Sequence, residues 1–308
     1  MAADAFILRT YGDVSIRESV LGLIEILTAE EDSIQKAIRK TKAIAGVHAT
    51  LLDTLRTAAD QAVGEGEDYS NLALTTPTRL SNIVQTTAIP FSVTRFQQAT
   101  THFNGENELV RQTQKAMKDY SNSVEFSLVR NTLVSGVSGT APKAEGLIAH
   151  ISKSTNTTAQ TSGTAWSASI LKGLMKANWD NSNGEVATDL YMGSILKNNT
   201  DDFVNKSTNV VTGTNVKEVI LSLDVFETGL GKVRVHAHRY VDIAGTDATC
   251  RVLGLNLDKH AMAYLYEPFV DKELARTGPY DKYAVAGAWT LETKNQDSNF
   301  FASGYLRA

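Results

Sequence analysis

The sequence of 308 residues predicts an α+β fold, on three observations. Residues 104–134, NGENELVRQTQKAMKDYSNSVEFSLVRNTLV, hold no proline and repeat apolar side chains at helical spacing. Residues 43–98 carry two extended runs around an acidic, glycine-bearing tip. From residue 165 onward helical and strand patterns interleave, which by itself admits α/β as well.

Taken in order, residues 1–15 read as an irregular arm. Ser15 can cap a helix whose stripe is Ile16, Val20, Leu23, Ile24 and Leu27. The acidic run Glu30-Glu31-Asp32 precedes Ile34, Ala37 and Ile38, with Lys36, Arg39, Lys40 and Lys42 on the polar side. Such a cluster is more often a solvated face than a nucleic-acid or partner contact, and acids stand directly before it. VHATLLDTLRT then leads to a tip with Asp60, Glu65, Glu67 and Asp68, and TRLSNIVQTTAIPFSVTRF returns with Pro90 inside it. Proline in a strand implies an edge or a bulge. A long hairpin buries little by itself and needs a surface to lie on, although 70–98 also fits a core sheet.

The helix expected over 104–134 opens on Asn104 as N-cap with Glu106 and Glu108 in its first turn. Leu109, Ala116, Met117, Tyr120, Val124 and Leu128 share one face. Glu125 counts among the polar charges, and Gly136 in SGVSG ends the helix. At ~1.5 Å per residue the rod would be roughly 45 Å long. SKSTNTTAQTSGT (152–164) reads as a Ser/Thr-rich loop and the clearest boundary. Trp166, Ile170, Leu171, Leu174 and Met175 form a helical face, ATDLYM a buried strand, and Ile195, Leu196, Phe203 and Val204 a second helix. VKEVILSLDVF, KVRVHAHRYV, RVLGLNL and MAYLYEPF are strands, and the chain closes on two more, Tyr283–Thr293 and Asn299–Leu306.

Composition narrows the classes. A net charge of −4 argues against a strongly basic nucleic-acid binder. Apolar runs stay well short of the ~18 residues of a membrane span. The opening residues lack a basic-then-apolar secretion signal, and the single cysteine, Cys250, leaves no internal disulfide framework, as expected of a chain made in a reducing cytosol.

Catalytic and ligand patterns are sparse. His236 and His238 lie two apart on an expected strand, as a two-ligand metal site uses, but strand alternation favours an exposed face with Arg234. Cys250 reads as a small core residue rather than a nucleophile. Asp201 and Asp202 read as an exposed helix pair rather than a general acid and base. The tip acids read as solvated, or as a contact to a basic neighbour. No catalytic, cofactor-binding or metal residue is therefore assigned, no cofactor is expected, and the protein is read as no enzyme.

The order of elements resembles the major capsid proteins of tailed phages with the Hong Kong 97 fold. The resemblance spans nearly the whole chain: the arm GDVSIRESVLGLIEILTAEEDSI, the excursion KTKAIAGVHATLLDTLRTAADQAVGEGEDYSNLALTTPTRLSNIVQ, the spine-like helix, the return GTAPKAEGLIAHI and the closing LNLDKHAMAYLYEPFVDKELARTGPYDKYAVAGAWTLETKN. Before the last long strand stand Leu274, Ala275, Arg276, Thr277 and Gly278. The resemblance implies an N-terminal arm (1–42), an extended β-hairpin loop (43–98), a peripheral domain (99–164 and 278–308) with spine helix 104–134, and an axial domain (165–277). It implies self-assembly through pentamers and hexamers into an icosahedral shell around double-stranded DNA, bound without sequence specificity and without a membrane. Portal, separate scaffolding and decoration proteins are the implied partners, and the virion capsid, built in the bacterial host cytoplasm, the implied location. The spine helix would pack its apolar side on the C-terminal strands. A cargo-enclosing compartment shell of the same fold is the alternative, and an enzyme with an unrecognised active site a more distant one.

Overall fold

The computed structural model describes residues 31–56, 58–68, 74–100, 107–182, 184–206, 224–243, 247–272, 274–275 and 278–306. The expected arm 1–15, the helix opening at Ser15, residues 104–106, most of the strand expected over 216–226, and Arg276 and Thr277 lie outside the described residues.

In chain order the elements are α1 (Ser33–Ala37), β1 (Arg39–Lys42), β2 (Val47–Leu52), β3 (Thr78–Ile83), β4 (Gln85–Thr94), α2 (Arg95–Ala99), α3 (Glu108–Arg130), α4 (Leu147–Ile151), β5 (Thr157–Thr164), α5 (Ala168–Asn181), β6 (Asp189–Met192), α6 (Ser194–Lys206), β7 (Val225–Thr228), β8 (Gly231–Ala237), β9 (Cys250–Leu255), β10 (His260–Asp271), β11 (Tyr280–Thr293) and β12 (Phe300–Tyr305). They form a four-stranded sheet in the order β1-β10-β11-β4, a six-stranded sheet in the order β5-β12-β9-β6-β8-β7, and the hairpin β2-β3.

The excursion divides in two. Only β2 and β3 make the stalk, paired from Val47↔Ile83 to Leu52↔Thr78. β4 instead pairs along β11 and belongs to the core sheet. Pro90 sits in β4 opposite Ala284. It is tolerated because β4 is the sheet's edge and needs to bond on one side only.

α3 is shorter than its pattern. Asn107 is its N-cap, accepting from the Leu109 amide at 2.9 Å, and 23 residues make a rod of about 35 Å. It stops at Asn131, whose backbone turns extended, and Gly136 plays no part. Asn131 donates its side-chain amide to Gln85 Oε1 at 2.8 Å, and its carbonyl accepts from Gly146 at 2.9 Å. A Cβ on Gly146 would lie 2.8 to 2.9 Å from Asn131 N and the carbonyls of Ser127 and Leu128, so only glycine lets the returning chain close over the helix end. SGVSG instead forms a small hairpin with bridges Val134↔Lys143 and Val137↔Thr140.

The Ser/Thr-rich run 152–164 is not a loop throughout. Its second half is β5, parallel to β12, and its threonines are β-branched and suited to an edge strand. The two closing strands also part company, β11 in the four-stranded sheet and β12 in the six-stranded one.

Alternation along the six-stranded sheet explains its burial. Leu190, Met192, Cys250, Val252, Phe300 and Ala302 face a cluster with Leu171, Leu174 and Met175 of α5 and Leu196 of α6. Tyr191, Leu253, Leu255 and Phe301 face the other way, into a second cluster with Ala116, Tyr120, Val124 and Leu128 of α3, Met262, Trp289 and Leu291. A strand buried on both faces reads as a continuous apolar run, hence DLYM. The second cluster also holds Ile34 and Ile38, so α1 and the residue after it are anchored in the core.

Candidate functional site

The chemistry-bearing residues of the sequence do not converge. His236 Nε2 lies 3.0 Å from buried Asp189, which also takes Arg234. His238 is not outward as strand alternation predicts. β8 ends at Ala237, and the His238 side chain turns inward to Glu125. Cys250 is buried in the core, as expected. Asp201 pairs with Lys197 at 2.9 Å one helical turn away, and Asp202 is exposed beside it. Among the described residues no group of three His, Cys, Asp or Glu is placed to hold a metal, and no helix is long and apolar enough to cross a membrane. A groove of about 950 Å3 opens between the stalk, with Leu55 and Arg79 on its wall, and the segment Lys294–Asp297. In its lining Lys259 pairs with Glu185, and Lys294 lies 3.8 Å from Glu292.

The excursion is firm at its base and bare at its end. His48 Nε2 lies 3.0 Å from Glu292 Oε2, and Thr50 Oγ1 donates to the Thr293 carbonyl at 3.3 Å. Asn82 is buried, donates to the carbonyls of Glu145 and Leu291 at 3.0 and 3.1 Å, and accepts from the Glu145 amide at 2.8 Å. Burial raises the Glu145 carboxyl, but bonds from His150 and Lys153 outweigh it and hold it below its ordinary value. Beyond Leu52 every described residue up to Asp68 is exposed, and Leu55 and Leu74 are 97% and 86% exposed. Ile44, at the root, is 89% exposed. Large apolar side chains held in water along a braced arm mark a surface built to be covered.

A buried polar junction ties the elements that carry this arm. Glu125 of α3, read from sequence as a surface charge, is fully buried. Its Oε1 accepts from the Ile34 amide at 2.8 Å and from His238 Nε2 at 2.9 Å, and its Oε2 accepts from the Gln35 amide at 2.9 Å. His238 Nδ1 accepts from the Tyr240 amide at 3.2 Å, which fixes the tautomer. The carboxylate thus caps α1 from another helix. One turn on, Arg130 grips Asp247 with two bonds of 2.7 Å, and Arg251 adds a third at 3.0 Å. The Arg130 bonds pull the Asp247 carboxyl down to about 2. The available sequence signal was Val129, buried four residues after Glu125, which widens the apolar stripe to include that position.

A family model described as the SU10 major capsid protein matches residues 6–305. No curated protein matches the sequence. Among solved structures the chain is similar to the capsid of Myoviridae phage XM1, with 13% identity, 98% of this chain and 100% of that one covered, and a TM-score of 0.62. It is similar to a chain of Gordonia phage Cozz, with 14% identity, coverage of 98% and 96%, and a TM-score of 0.61. It is also similar to the holo-SrpI encapsulin complex from Synechococcus elongatus, with 10% identity, coverage of 97% and 96%, and a TM-score of 0.65. At such identities the likeness is one of fold, the Hong Kong 97-type α+β fold.

Proposed function

This chain belongs to the SU10 major capsid protein family, and from that premise we propose how its shell is put together. It is a structural protein that assembles with itself into a virion capsid. The match over residues 6–305 carries this reading. In our reading pentamers and hexamers close an icosahedral shell in the bacterial host cytoplasm, and that shell encloses double-stranded DNA. A chain with net charge −4 suits loose containment, since tight binding through counterion release needs many Lys and Arg. The chain turns over no substrate.

The domain division is part of the same proposal. The excursion built on β2 and β3 is the extended loop and lies on an adjacent subunit. Drawn on the sheets and not on the bounds expected from sequence, the division moves β4 and β10 to the peripheral wall with α3, and β12 to the axial part with α5 and α6, which meets its copies around the symmetry axes. Exposed Leu55 and Leu74 on a braced stalk support the loop assignment. The similarity to an encapsulin favours a second reading, a compartment shell enclosing protein cargo. Electron microscopy of particles from cells expressing the chain tests both. Closed shells are expected, holding DNA when made during infection. Shells that hold only protein favour the compartment, and a chain that stays monomeric at every concentration overturns the shell reading.

A further inference from the structure

We propose that the acidic tip of one copy's excursion seats on the basic edge strand β1 of a second copy. This rests on the shell reading above and names the receiving surface. The tip carries Asp60, Glu65, Glu67 and Asp68, all exposed. Asp60 and Glu67 bond only to amides of their own turns, Ala62 N and Gly64 N, and none of the four makes an ion pair among the described residues. β1 reads RKTK, with Arg39, Lys40 and Lys42 exposed on the outer edge of the four-stranded sheet. These three cations also lack an ion pair among the described residues, in a chain with 34 acids against 30 Lys and Arg. The cations around β8 are unlike it: Lys232, Arg234 and Arg239 are taken by Glu227, Asp189 and Glu31.

Lysines on a sheet edge ordinarily repel further strands. That accounts for a basic β1 and leaves an unneutralised acidic tip unexplained. Together the two account for each other. Tip against tip and strip against strip are like-charged and repel, so the permitted contact joins tip to strip. Such a contact uses two different patches, and contacts of that kind close into rings when the rotation between copies allows it. Each ion pair is weak alone, but repetition around a ring compounds it. Val63, half exposed on the same tip, adds apolar area to be covered on docking.

The test is charge reversal in the full chain, expressed where the wild type gives particles and followed by gradient sedimentation, electron microscopy and thermal melting. Reversing the tip (Asp60→Lys, Glu65→Lys, Glu67→Lys, Asp68→Lys) or the strip (Arg39→Glu, Lys40→Glu, Lys42→Glu) is expected to leave a folded subunit that sediments slowly. Both reversals in one chain are expected to restore particles. If a reversal also lowers the melting temperature, the neutral set Asp60→Asn, Glu65→Gln, Glu67→Gln, Asp68→Asn is read instead, with loss of particles expected. Particles as in the wild type from either single reversal or from the neutral set overturn the proposal. So do two folded single reversals whose combination stays unassembled. Such results leave the shell reading standing, whereas a wild-type chain that never forms particles removes both.

Discussion

Glu125 is one side chain doing the work of three contacts, and its removal shows what a buried acceptor is worth. Glu125→Ala strands the amides of Ile34 and Gln35 and the Nε2–H of His238 without partners. Breaking a buried pair from one side costs about 3–5 kcal/mol, so a clear drop in the midpoint of chemical unfolding is expected. Two other groups make the subunit sensitive to acid. Burial pushes His260 down to about 4 from its ordinary 6.5, while Asn299 and Thr293 bond its two ring nitrogens. Between these values the unfolded chain takes up a proton that the native one refuses. The group leaves stability unchanged above pH 6.5 and costs progressively more as pH falls toward 4. Asp247 acts lower: its stabilising effect is complete above about 3.8 and is lost as pH falls through about 2. Melting temperatures of unassembled subunits measured from pH 8 to 2 are expected to fall in these two windows, and Asp247→Asn to flatten only the lower one. None of the three roles was visible in sequence. Periodicity tells which positions face inward, but a carboxylate beside an apolar stripe looks alike whether water or a distant histidine receives it.

Elements were more legible where one face decided them. The stripe Ala116, Tyr120, Val124 and Leu128 placed α3, and Pro90 marked β4 as an edge, because both patterns record burial directly. Met117, by contrast, is nearly half exposed, since a stripe read from spacing alone does not fix its own width. The end of α3 was misread at Gly136 because the true stop is tertiary: Gln85 and Gly146 hold Asn131. β5 was misread because an edge strand facing solvent on one side lacks the apolar run that announces a strand. The excursion's division of labour also belongs to this scale. Its base is bonded to Glu292, Thr293 and Leu291, while the described tip residues 58–68 bond only within their own turns. Deleting Asp60–Thr75 is therefore expected to leave the circular dichroism spectrum and melting temperature of the subunit nearly unchanged while abolishing stable particles. A deletion variant that is unfolded would instead make the tip part of the core.

At the scale of the whole molecule, the cluster between the two sheets sets the cooperativity. Leu253 of β9 and Trp289 of β11 lie in one core with α3, so neither sheet keeps its apolar face covered if the other opens. Leu253→Ala, fully buried, is expected to cost about 2–5 kcal/mol. It should shift a single unfolding transition, seen alike by fluorescence and far-ultraviolet circular dichroism. Two separated transitions, only one of them moved, would show that the halves unfold independently. The sequence carried most of the strands of this architecture but neither their division between two sheets nor the shared core, since contacts between residues about 200 apart leave no local pattern. The order of the four-stranded sheet also sets a schedule. β1 ends at Lys42, yet its partner β10 begins at His260, and β4 waits for β11, which ends at Thr293. During translation the excursion emerges about 200 residues ahead of the strands that brace it. A nascent chain in which β10 and β11 have not yet emerged thus presents a tip with no rigid mount, and competence to join a neighbour waits for those strands.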